Sequence, residues 1–223
     1  MELNEDFQDV LEDFGEPTTY DKSQSGELDA WSGHIPEPLI DFWRIYGWSS
    51  FLKGRLWLPD PHDFDPLMEV IFEGDSEIDH KKCHLVSYSA FGSLSIWSEQ
   101  FRIIRVSLVQ GWVGIAGITD NDPVYDIGRY ATFPFSGDVK TGYNAADENG
   151  KLLFNRAVKK YGSLEPGECF GFFPAHVLGG GGNLDEIQRI KALEHFILLA
   201  ELQPLTLMKW EDTTMVPVRQ IGA

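Results

Sequence analysis

The sequence predicts an α+β fold: N-terminal helices packed on a mostly antiparallel sheet, followed by a helical C-terminal region. Three observations predict it. Apolar residues recur at helical spacing near the start of the chain, the period changes to two between residues 48 and 118, and helical spacing returns after residue 150. With 223 residues, 43% of them hydrophobic and 13% aromatic, the chain has material for one large core or two small ones. A disordered acidic chain is thereby excluded.

Taken in order, Phe7, Val10, Leu11 and Phe14 form one helical stripe, with Asn4 as N-cap and Gly15 then Pro17 as stop signals. Residues 18–33 are polar and read as a loop or short helix. Pro36 and Pro38 open a second helix whose apolar face is Leu39, Phe42, Trp43 and Tyr46, with Gly47 past its end. Residues 48–58 read as a hairpin around Lys53-Gly54. Residues 59–66 hold three prolines and cannot form a central strand; residues 67–73 read as a short helix. From 83 to 118, short β-rich runs cut by glycine and polar turns predict an antiparallel sheet. These elements divide the chain into an α+β domain over 1–118, connecting loops over 119–150 and a mainly helical domain over 151–223. In the last, residues 151–161 place Leu153, Ala157, Val158 and Tyr161 on one side, and Asn183 caps a long helix from Leu184 to Gln203 closed by Pro204.

The charge is uneven. The formal net charge is −17, and residues 1–79 hold 20 acids against four bases, while residues 80–223 nearly balance at 15 against 14. Asp60 to Asp79 carries eight acids and no Lys or Arg. Such a field argues against direct nucleic-acid binding and against an anionic membrane surface, and it steers a partner of opposite sign. A solvated face that keeps the protein soluble is the plainer use of the same charge. There is no apolar run long enough to span a bilayer and no basic, apolar leader, and the two cysteines, Cys83 and Cys169, are far apart. A reduced, cytoplasmic chain is the expectation.

Catalytic motifs are missing: the sequence contains no GxSxG, HExxH, Walker loop or GxGxxG. His80, Cys83 and His84 offer zinc-type donors, with His62 upstream, but their spacing fits no closed four-ligand pattern, so neither metal nor cofactor is expected. The four glycines Gly179–Gly182 lack the Lys and Ser/Thr of a phosphate loop and read as a structural turn or a partner-contact loop. Most of the seven tryptophans belong in a core, with one or two left for a binding rim.

Two stretches resemble known families. FQDVLEDFGEP, followed by IPEPLIDFWRIYGWSSFLKGRLWLPDPHDFDPLMEVIF, is similar to the GAD-like domain of bacterial immunity proteins, through Phe14-Gly15, Pro36, Phe42-Trp43, Tyr46-Gly47-Trp48, Gly54 and the Pro59–Pro61 turn. Residues 152–202 resemble the uncharacterised C-terminal domain that usually follows it, through Leu153-Phe154, Gly162, Leu164, Glu168, Gly171-Phe172, Pro174-Ala175, Gly179-Gly180 and the last helix. The resemblance implies an immunity protein of a type VI secretion system that neutralises a cognate toxin, for this arrangement a DNase. It implies no catalytic residue. The charge fits this reading, because a DNA-binding cleft is basic. The expected partner surface comprises Trp57, Asp60, Asp63, Asp65, Glu69, Glu73 and Asp75, with Gly180 and Gly181 of the glycine loop as a second candidate. The alternative is an acidic regulatory or scaffold module that binds a basic protein unrelated to toxins.

Overall fold

A computed structural model describes residues 3–21, 28–115, 126–211 and 214–222. Its centre is a nine-stranded sheet in the order β1-β2-β3-β4-β5-β6-β7-β10-β11, with β1 Thr18–Asp21, β2 Trp48–Phe51, β3 Leu56–Leu58, β4 Cys83–Ser89, β5 Ser93–Ser98, β6 Arg102–Ser107, β7 Trp112–Ile115, β10 Thr206–Glu211 and β11 Thr214–Gln220. All neighbouring pairs are antiparallel except β7 and β10, which run parallel with Thr206 opposite Trp112. The remaining strands, β8 Glu168–Phe172 and β9 Ile187–Lys191, form a separate antiparallel hairpin.

Helices cover both faces of the large sheet, so β2 to β5 bury side chains on both sides rather than alternating buried with wet ones. On one face, α1 Glu5–Phe14, α2 Glu37–Tyr46 and α4 Ile127–Ala131 share a core with Trp48, Phe51, Val86, Trp97 and Ile103. On the other, α3 Asp65–Phe72, α5 Phe154–Tyr161 and α6 Ala192–Leu202 pack with Leu85, Tyr88, Ile96, Ile104 and Val106. In β4, Leu85 faces the second core and Val86 the first, as the two-residue period of a strand requires.

The first two helices form as the stripes predict. Asn4 Oδ1 accepts the Phe7 N–H at 3.1 Å, and the Gly15 and Gly47 N–H groups close the helix ends on Leu11 and Trp43. The hairpin at residues 48–58 turns through Leu52, Lys53 and Gly54, all at positive φ. The proline-rich segment makes a 3₁₀ turn, Pro61–Phe64, and α3 follows it directly. Two readings change. Within residues 18–33, Thr18–Asp21 is a strand, and residues 22–27 lie outside the described ones. Residues 116–118 of the expected sheet and 119–125 of the expected connection also lie outside them, while 126–135 carry α4 and a 3₁₀ turn that brings Phe135 against Phe7 and Phe51.

The helical C-terminal region is corrected. Past residue 150 the chain forms α5 and α6 but also four strands. The long helix expected from Leu184 is a 3₁₀ turn, Leu184–Glu186, then β9, and only then α6. The backbone of Ile187–Lys191 is claimed by β8 through a five-residue ladder, Glu168 opposite Lys191 to Phe172 opposite Ile187, reinforced by Arg189 Nε on Glu168 Oε2 at 3.2 Å. Tertiary pairing overrides local helix propensity there. Asn183 still caps: its side chain and that of Glu186 close a capping box around the 3₁₀ turn.

Candidate functional site

The acidic segment is laid out by the burial of its apolar residues. Phe64, Leu67, Met68, Ile71 and Phe72 turn into the core, which leaves Asp63, Asp65, Glu69 and Glu73 exposed on the opposite side of the 3₁₀ turn and α3. Asp60 caps the turn by accepting the His62 N–H at 3.0 Å. Partial burial, and for Asp63 the neighbouring Asp60 carboxylate, raises the Asp63 and Asp65 carboxyls above their ordinary values; His62 and His84 pull Asp65 partly back.

Asp75 belongs to a different arrangement. Its side chain is 0% exposed and is held by Arg219 from the end of β11, through Nη1 to Oδ2 at 2.5 Å and Nη2 to Oδ1 at 2.9 Å. The N–H groups of Glu77, Ile78 and Gly222 donate to the same carboxylate. Burial alone would raise this carboxyl, but these five donors outweigh it and hold it well below the usual carboxylate range. Asp75 is thus a clamp between the loop after α3 and the last strand. Trp57 likewise sits inside: it is 4% exposed and packs between Tyr20 and Tyr88, with ring centroids 5.7 and 6.3 Å away. Trp31, Trp43, Trp48 and Trp97 are buried as well.

The glycine loop is a built turn. A Cβ on Gly180 would lie 2.0 Å from the Pro174 carbonyl oxygen, so only glycine lets the two backbone segments meet there. The Gly180 N–H donates to the Ala175 carbonyl at 3.1 Å. Gly181 is exposed, and just before the loop Val177 and Leu178 are 42% and 61% exposed. Isolated apolar side chains on a surface are common, but two adjacent ones on a fixed turn offer a contact point.

Beside the acidic face lies an open cleft of about 520 Å³ lined by Trp31, His34, His62, Asp65, Glu69 and His84, among others. Two of the residues that line it, His34 through Nδ1 and His84 through Nε2, approach one oxygen, Glu99 Oε1, at 2.8 and 3.0 Å. Burial would raise Glu99, and the two imidazoles more than offset it. His84 was visible in the sequence as part of HKKCH; His34 and Glu99 carried no signal there, because they lie 50 and 15 residues away along the chain and meet only through the fold. Cys83 does not join them. It is buried on the other face of β4 and its thiol is pushed up to about 12 by burial; Cys169 is buried too and its thiol is raised for the same reason. Neither is poised as a nucleophile.

Among the described residues no helix is long and apolar enough to cross a membrane. Residues 5–110 match the GAD-like domain, and residues 132–203 match the family described as T6SS immunity protein Tdi1, C-terminal. No curated protein matches the sequence. The crystal structure of Atu4351 from Agrobacterium tumefaciens is similar over 97% of this chain and 98% of its own, with a TM-score of 0.89 and 24% identity, so the two chains share a fold.

Proposed function

Because residues 5–110 match the GAD-like domain and residues 132–203 match the C-terminal domain of the T6SS immunity protein Tdi1, we propose that the chain is a type VI secretion immunity protein that protects its cell by binding a nuclease toxin in the cytoplasm, one to one and without turnover. The Tdi1-type match carries this reading. The charge supports the nuclease part of it. An enzyme that grips DNA presents Lys and Arg, and 20 of this chain's 35 acids lie in its first 79 residues.

The acids and the affinity have separate tasks. Opposite charges raise association toward ~10⁸–10⁹ M⁻¹s⁻¹ at low salt. Slow release at nanomolar Kd needs about −12 kcal/mol, which exposed charges rarely provide. Asp60, Asp63, Asp65, Glu69 and Glu73 form the steering face, and Val177 and Leu178 beside Gly180 and Gly181 supply apolar contact. Trp57 and Asp75 act by holding the fold, since both are buried.

The test is co-expression with the toxin encoded beside this chain's gene, then kinetics on the purified pair. Rescue of growth and co-purification are expected. Asp65→Lys, Glu69→Lys and Glu73→Lys together should slow association about tenfold or more at low salt and flatten its salt dependence. Unchanged association would remove the acidic face from the mechanism, and failure to rescue would remove the immunity reading.

A further inference from the structure

His34, His84 and Glu99 converge beside the cleft that Asp65 and Glu69 also line, but none of the three is among the acids assigned to steering. We propose that these three side chains form a binding site for a divalent transition-metal ion of the zinc, cobalt or nickel class. Their ligand atoms, Nδ1 of His34, Nε2 of His84 and a Glu99 carboxylate oxygen, all lie within 4.8 Å of one another. Bonds of about 2.0–2.2 Å to one tetrahedral ion set its ligand atoms roughly 3.3 Å apart. The two nitrogens lie 2.8 and 3.0 Å from Glu99 Oε1 and within 4.8 Å of each other, so an ion needs the N–O distances to open by a few tenths of an ångström while the nitrogens settle near the tetrahedral spacing. That movement is available. The His34 side chain is 55% exposed and that of Glu99 25%, while His84, at 9%, stays fixed.

The donor set selects the ion. Two neutral imidazoles and one carboxylate suit zinc and its neighbours; magnesium and calcium prefer all-oxygen shells. His34 and His84 both line the open cleft, from which an ion and a water ligand can reach them.

The frame around the ligands is already fixed. The His34 carbonyl accepts the Trp97 Nε1–H at 2.7 Å, and Trp97 is the cross-strand partner of His84. The Trp31 ring stands edge-on to His84 with centroids 5.1 Å apart. The Glu99 N–H donates to the Lys82 carbonyl at 3.0 Å. Ligands held by such surrounding contacts lose little freedom when an ion arrives. A hydrogen-bonded histidine–carboxylate bridge also satisfies the three groups without metal, and the experiment separates the two states.

The untagged full-length protein, stripped with a chelator, is titrated with Co²⁺ followed by visible absorption and with Zn²⁺ by calorimetry at pH 7.5. One ion per chain at micromolar Kd or tighter is expected, with a charge-transfer-free, imidazole-type cobalt spectrum. His34→Ala, His84→Ala and Glu99→Gln should each weaken binding by at least about tenfold. His176→Ala, outside the cluster, should leave it unchanged. Circular dichroism without metal checks each fold, and the exposed His34 keeps the test decisive if His84→Ala does not fold. Absence of one-to-one binding, or binding that survives both His34→Ala and Glu99→Gln, overturns the site. The result is independent of whether the chain inhibits a nuclease, so the two ideas fail separately.

Discussion

Asp75→Asn is the most informative single change. The carboxylate accepts two guanidinium bonds from Arg219 and three backbone N–H bonds, and its side chain is fully buried. An asparagine oxygen can still serve the Glu77 and Ile78 N–H groups. Its amide then faces the Arg219 guanidinium and the Gly222 N–H, both donors, so two contacts are lost and one charge is left without its main partner. Glu77, 2.8 Å from Arg219 Nη2 but 63% exposed, compensates little. Charge-assisted bonds at about 1.5–3 kcal/mol each give a loss of about 3 kcal/mol at neutral pH. Urea unfolding followed by tryptophan fluorescence measures it. Arg219→Met should cost a similar amount, and the double variant should lose about 2 kcal/mol less than the sum. The sign with pH follows from the depressed carboxyl. The folded state holds this group ionised below its unfolded value of 3.8, so the clamp contributes fully above that value and is lost as pH falls further. The gap between wild type and Asp75→Asn should therefore close on the acid side of about pH 4. A loss under about 1 kcal/mol, or a gap that stays constant down to pH 2, refutes the clamp. Toxin association by the folded variant should be unaffected.

Two further outcomes are expected. His195 is 4% exposed, its Nδ1 has no hydrogen-bond partner among the described residues, and burial lowers its pKa to about 4. The unfolded chain then binds a proton near pH 6.5 that the folded chain refuses until about pH 4, so stability is full above pH 6.5 and falls by up to about 3 kcal/mol between those values. Unfolding free energies at pH 7.5 and 4.5 should show that slope in the wild type and a flatter one in His195→Leu. Gly180→Ala should cost about 2 kcal/mol or more, because the Pro174 carbonyl must move, whereas Gly181→Ala meets the movable ends of the Asn183 and Glu186 side chains and should stay within about 1 kcal/mol; thermal melts compare them.

Residues that act through neighbours in sequence were legible. The Asn4 cap, the Pro36-Pro38 helix start, the Lys53-Gly54 hairpin and the proline bar against a strand at 59–66 all depend on local backbone rules, and all appear. Residues 187–191 read as helix because Ile187 and Ile190 are spaced as on one helix face, while their strand partner, β8, is almost twenty residues away; in the strand the two isoleucines fall on opposite faces. The acidic run was visible as charge, but its division into exposed and buried acids was not. Asp75 looks like its neighbours until Arg219, 144 residues on, is placed against it. Trp57 looks like an anchor until Tyr20 and Tyr88 enclose it. The histidine–glutamate cluster was illegible for the same reason.

The parallel pairing of β10 on β7 has a consequence for synthesis. Residues 112–115 emerge from the ribosome with a bare hydrogen-bonding edge, and the strand that covers it, 206–211, follows only after some ninety more residues. A chain interrupted between them exposes that edge and lacks Arg219 as well, so partial products are candidates for aggregation and degradation rather than for reduced protection. On the proposed function, protection then scales with the number of chains translated to completion.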